Sequence, residues 1–171
     1  MKRAFILFML LFAAVSCQQN SYNTFSRKYR VWFSFNVMDD PFNQTIIPSH
    51  FIAVRKTGGK LVAINPGGKE TTVNVSPMEF ARYQMGLAGL IIGTPAFNNY
   101  ESAVWAYDLG CPECDDPKTR LTIDVQGTAS CSECHGAWNL NADGFPINDN
   151  STKPLMRYPV TRADNTVTIA N

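Results

Sequence analysis

Cys111-Pro112-Glu113-Cys114 and Cys131-Ser132-Glu133-Cys134 are two CxxC pairs separated by sixteen residues, Asp115 to Ser130. A CxxC loop turns tightly enough to aim both sulfurs at one point, and an excursion of about 15–20 residues returns the chain with a second such loop. The excursion contains Arg120 to Val125, whose β-branched and apolar residues read as a strand. Four thiolates converging in this way suit zinc or a single iron, and two such loops also hold iron-sulfur clusters. The candidate metal or cofactor ligands are therefore Cys111, Cys114, Cys131 and Cys134, and ligand type alone leaves the metal open.

Two other chemistries compete for the same residues. In an oxidising compartment the four cysteines can form disulfides, and each CxxC can close on itself as a redox-active pair. Thioredoxin-type exchange needs the motif at a helix N-terminus, which lowers the first thiol's pKa. Both pairs are instead followed by turn-rich sequence, and Glu113 and Glu133 inside the loops are expected to raise a thiol pKa. Spacing and compartment together favour metal.

The compartment is read from the N-terminus. Lys2 and Arg3 precede an unbroken apolar run from Ala4 to Val15 that ends at Ser16-Cys17, the layout of a secretory signal. The run is too short to span a bilayer. Ala14-Val15-Ser16-Cys17 resembles a bacterial lipobox, which implies cleavage before Cys17 and lipid attachment to it; an ordinary signal with an incidental cysteine is the alternative. Residues 1–16 are thus expected to be a lipoprotein signal peptide, residues 17–28 a polar lipid-anchored tether, and residues 29–171 one domain with a metal-binding subdomain at about 108–149. The expected location is the bacterial cell envelope, periplasmic or outer-membrane side, with the membrane as a partner through the anchor.

Removing residues 1–16 leaves 155 residues, enough for one domain. Losing Lys2 and Arg3 turns the formal charge from +1 to −1, and no basic stripe remains to follow a phosphate backbone, so nucleic acid is not an expected partner. From Tyr29 onward short β-branched and aromatic runs alternate with Gly, Pro, Asn and Asp. They predict strands over 31–37, 51–55, 61–64, 71–75, 87–93, 103–107, 155–160 and 166–170, with Asp164-Asn165 as a hairpin turn. One short helix is expected over 77–85, with Ser76 as N-cap and Pro77 at its first position. Thr57-Gly58-Gly59-Lys60 is a turn rather than a phosphate loop, Asp39-Asp40 a solvated pair, and His50 a lone histidine without a role. Trp32 and Trp105 read as strand core, and Trp138 as a border of the cysteine site.

Several stretches also resemble one family. Cys131 to Leu140, then Asp143-Gly144-Phe145-Pro146-Ile147-Asn148, then Lys153-Pro154-Leu155-Met156-Arg157-Tyr158-Pro159-Val160 resemble the second cluster-binding box and the C-terminal strands of Rieske domains. Ala103 to Pro112 is similar to the strand entering the first box, so the likeness covers about residues 103–171, while Val31 to Gly93 fits the base domain only loosely. It implies an all-β fold: a Rieske-like antiparallel β-sandwich with a small rubredoxin- or zinc-ribbon-like metal-binding subdomain. The ligands depart from the family, which supplies one Cys and one His from each box. Here Glu113 stands in the first His slot, Cys134 in the second, and His135 beside Gly136. The resemblance then implies an all-thiolate [2Fe-2S] cluster of lower potential than the His-ligated kind, or zinc, and Ala137 in place of a serine points the same way. Electron transfer with an unknown redox partner is one expected function. A non-catalytic envelope module held by structural zinc or disulfides is the other, and no residues mark a stand-alone enzyme.

Overall fold

The computed structural model describes residues 24–97 and 104–171. The expected signal peptide, Cys17, the first part of the tether and Ala103 lie outside them. Elements in chain order are β1 (Val31–Asn36), a 3-10 turn (Phe42–Ile46), β2 (His50–Thr57), β3 (Lys60–Ile64), β4 (Glu70–Val73), α1 (Pro77–Arg82), β5 (Gln84–Met85), β6 (Leu90–Thr94) and β7 (Trp105–Asp108). There follow β8 (Thr122–Ile123), β9 (Thr128–Ser130), β10 (Ala137–Asn139), β11 (Phe145–Pro146), β12 (Arg157–Tyr158), β13 (Val160–Ala163) and β14 (Thr166–Ala170). The expected all-β antiparallel class, with a small cysteine-bearing subdomain, is what the chain adopts.

The strands form three sheets, ordered β12-β7-β6-β2-β3-β4, β13-β14-β1-β5 and β11-β10-β9-β8. The six-stranded sheet is the middle layer, and side-chain alternation along its strands serves both neighbours. Ile52, Val54, Leu90, Ile92 and Ala106 pack with Val31, Phe33, Phe35, Val167 and Ile169 of the second sheet. Phe51, Ala53, Ile91 and Tyr107 point the other way and meet Ala129 and Trp138 of the small sheet together with Leu109, Cys111, Leu121, Cys131 and Leu140 of the loops beside it. Each fully buried aliphatic or aromatic side chain contributes at most about 1.5–3 kcal/mol. Strand β6 is buried at every position, which is why its sequence is a continuous apolar run instead of an alternating one.

Several expected boundaries move, for local reasons. Residues 86–88 form a turn ahead of β6, where Leu87 and Ala88 give their N–H groups to the Asp108 carboxylate instead of a ladder. The 155–160 run is interrupted at Pro159, which has no N–H to donate, and becomes β12 and β13 in different sheets. The helix keeps its expected start, with a full capping box between Ser76 and Glu79, and ends at Arg82. The strand expected over 120–125 contracts to β8, although Arg120 forms an isolated bridge with Gly110. Gly58-Gly59 and Asp164-Asn165 close hairpins as expected. Phe25 to Lys28, the end of the expected tether, lies along the domain: Ser26 N–H donates to the Arg157 carbonyl, and Lys28 pairs with Asp115.

Candidate metal centre

Two loops carry the cysteines, one between the middle and the small sheet and one within the small sheet. The first leaves β7 after Asp108; Leu121 N–H returns to the Leu109 carbonyl and Cys111 N–H donates to the Thr119 carbonyl, which closes the excursion. The second joins β9 to β10 and is closed by Cys131 N–H on the Gly136 carbonyl at 3.0 Å. Between them Asp124 ties the β8–β9 turn by accepting from Gln126 and Thr128 N–H, bringing the second CxxC back beside the first.

The two loops share a backbone design. In each, the residue just after the second cysteine adopts a left-handed conformation, Asp115 at φ 52° and His135 at φ 58°. The backbone amides of Glu113 and Cys114 act to lower the pKa of Cys111, and those of Glu133 and Cys134 that of Cys131. Backbone donors aimed at a sulfur favour its thiolate.

The structure brings together all four expected ligands. Their sulfurs lie within 4.8 Å of one another, and no histidine or carboxylate joins this group among the described residues. The short contacts run between loops, Cys111 to Cys134 at 3.5 Å and Cys114 to Cys131 at 3.8 Å, and all four cysteines are free. Cys111 and Cys131 are buried while Cys114 and Cys134 are partly exposed. Burial pushes the Cys111 thiol well up and the Cys114 thiol to about 11. Burial also opposes ionisation of Cys131, but the Cys134 and Glu133 amides and the neighbouring thiols outweigh it and hold Cys131 below its ordinary value. A tetrahedral ion with bonds of about 2.3 Å to sulfur has ligand-to-ligand edges of about 3.8 Å. The donor set and its spacing therefore fit a metal ion.

Glu113 turns its carboxylate to the segment that follows the second loop. Its Oε1 accepts from Thr152 N–H at 2.6 Å, Lys153 N–H at 2.8 Å and the Thr152 hydroxyl, and these bonds hold its carboxyl below the usual range. The same segment secures the second loop, since Asn148 Nδ2 donates to the His135 carbonyl at 2.8 Å and Asn148 Oδ1 accepts from Ala137 N–H and the Ser151 hydroxyl. Trp138 borders the site as expected. Its indole N–H donates to the Lys153 carbonyl, and its ring lies so close to Gly136 that an added Cβ would come within 2.6 Å of it. Residues 148–153 thus strap both loops, a role without a motif because it is carried by polar side chains and main-chain groups. His50 bonds Gln44, and His135 is exposed, with only its carbonyl in use among the described residues.

A second feature missed by sequence reasoning is Asp108, three residues before Cys111. Its carboxylate is fully buried; Oδ1 accepts from Gly110 and Ala88 N–H, and Oδ2 from Leu87 N–H and the Tyr158 hydroxyl at 2.6 Å. Gly86, at φ 67°, makes room for it, since a Cβ there would stand 2.2 Å from Asp108 Oδ2. Asp108 and Tyr158 anchor the root of the first loop to the middle sheet.

No family model and no curated protein matches the sequence. Among solved structures, a chain of the complex of reduced oxygenase and oxidized ferredoxin in carbazole 1,9a-dioxygenase is similar at 14% identity, with 82% of this chain and 93% of that chain covered and a TM-score of 0.40.

Proposed function

We propose that this chain is a metal-binding module of the bacterial envelope, lipid-anchored through Cys17, in which Cys111, Cys114, Cys131 and Cys134 together hold one metal ion. The observation that carries the reading is the mutual approach of all four sulfurs within 4.8 Å, the size of one tetrahedral coordination sphere. Two irons bridged by sulfide would have to set one pair of thiolates apart from the other, whereas here every pair is close. Four protein ligands leave no open position, so the site binds no substrate at the metal. Zinc there would staple the two loops to the middle sheet, and a single iron would supply one-electron exchange.

A second reading, an all-thiolate [2Fe-2S] electron carrier, draws on a different feature. Two close contacts, Cys111 to Cys134 and Cys114 to Cys131, each join one sulfur from each loop, the division of ligands that two irons shared between two loops would need. The Rieske-like stretch from Cys131 to Val160 supports it, and an envelope redox partner would follow from it. In either reading this chain's residues do the same work. Amides of residues 113, 114, 133 and 134 favour thiolates at Cys111 and Cys131, while the 148–153 strap fixes the loop geometry. Metal and acid-labile sulfide analysis of the full chain, purified without oxygen, decides between them. One metal per chain without sulfide supports the single-ion centre, and iron with equal sulfide supports the cluster. Globomycin-sensitive processing and [3H]palmitate labelling lost in Cys17→Ala test the anchor.

A further inference from the structure

The small sheet covers only part of the middle sheet, and where it stops a cleft of about 510 Å³ opens between the two layers. Ala53, Ile64, Leu109 and Leu121 give it an apolar lining, the Asn65-Pro66-Gly67-Gly68 turn forms one wall and the Arg120–Ile123 edge the other. Its size lies within the range of small-molecule sites, and a layer boundary is where such sites commonly occur.

Two guanidinium groups line this cleft. Arg55 continues the face of β2 that carries Phe51 and Ala53 under the small sheet, so a charge occupies a position where the alternation calls for an apolar residue. Its Nη2 donates to Glu70 at 2.7 Å, but its Nε is buried with no acceptor among the described residues. Such an orphaned donor is costly unless something accepts from it. Arg120, on the opposite wall, is exposed and donates from Nε to the Ala88 carbonyl. Among the described residues lining the cleft these two are the only charged ones, and Glu70 beside it offsets one of them. The cleft therefore has an apolar floor and a net positive rim.

We infer that this cleft binds a small organic anion, a carboxylate on an apolar body, with the carboxylate between Arg55 and Arg120 and the body against Ala53, Ile64, Leu109 and Leu121. Planar guanidinium forks suit a carboxylate, and the floor selects against a purely ionic ligand. The inference stands apart from the metal's identity, although Leu109 lies two residues before Cys111 and places the ligand behind the first loop.

Isothermal titration of the full chain with hexanoate, hexanol and inorganic phosphate tests it. Saturable binding of hexanoate is expected, about tenfold or more tighter than that of hexanol or phosphate, and Arg120→Gln is expected to weaken hexanoate by about tenfold or more. Arg120 is exposed, so that variant leaves the core intact; Arg55→Lys, which keeps the charge and removes the fork, is expected to weaken hexanoate as well. Equal binding of hexanol, equal binding of phosphate, an unchanged affinity in Arg120→Gln, or no saturation by about 10 mM hexanoate would each overturn it.

Discussion

At Asp108 burial and hydrogen bonding oppose each other. Burial raises its pKa above the ordinary value, while the four donors around it favour the carboxylate. Both oxygens accept from backbone N–H groups, so Asp108→Asn must turn an amide NH2 toward at least one of them whichever way it is flipped. The expected cost is about 3 kcal/mol in urea unfolding, with m unchanged. His135 gives the opposite outcome. It holds a left-handed φ without using its ring, so His135→Gly is expected to keep the metal and stabilise the chain by about 0.5–1 kcal/mol. Loss of metal in that variant would mean that the imidazole is a ligand. The cysteines were legible because a ligand set announces itself by residue type and spacing. Asp108 was not, because a carboxylate acquires its role from Tyr158 and from Leu87, which are distant in sequence.

The elements divide along the same line. Strands with clean alternation, such as β1 and β14, lie where the pattern puts them, and the Ser76 capping box fixes the helix start because its signal is local. Strands β9, β10 and β11 are two or three residues long, too short for any periodicity, and are held by loop contacts instead of propensity. The 148–153 strap is one element that depends on pH. Glu113 titrates below its ordinary value of 4.5 in the folded chain, so its contribution is complete above that value and is lost as pH falls through the lowered one. Thermal unfolding between pH 6 and about pH 3 is expected to show the loops loosening in acid, and Glu113→Gln is expected to flatten that dependence.

Across the whole molecule, one middle sheet serves two separate cores. Among the described residues, the core shared with β1 and β14 contains no cysteine, whereas the other contains Cys111 and Cys131. Stripping the metal with a chelator is therefore expected to lose hydrogen-exchange protection at Ala129, Ser130 and Ala137–Asn139 first, leaving β1, β2 and β14 protected. Uniform loss of protection would show that the layers unfold as one. The antiparallel β class was legible in the short strands and frequent turns, whereas the stacking of sheets was expected only through the family resemblance. The cleft was not legible, because it forms where one sheet ends over another. The claim on which the rest depends is that four thiolates hold one ion. Elemental analysis of the anaerobically purified full chain, with sulfide and free-thiol counts, addresses it directly. The account expects one zinc or iron per chain, no sulfide, and loss of that metal in Cys131→Ser; two irons with two sulfides, or no metal and two disulfides, would contradict it.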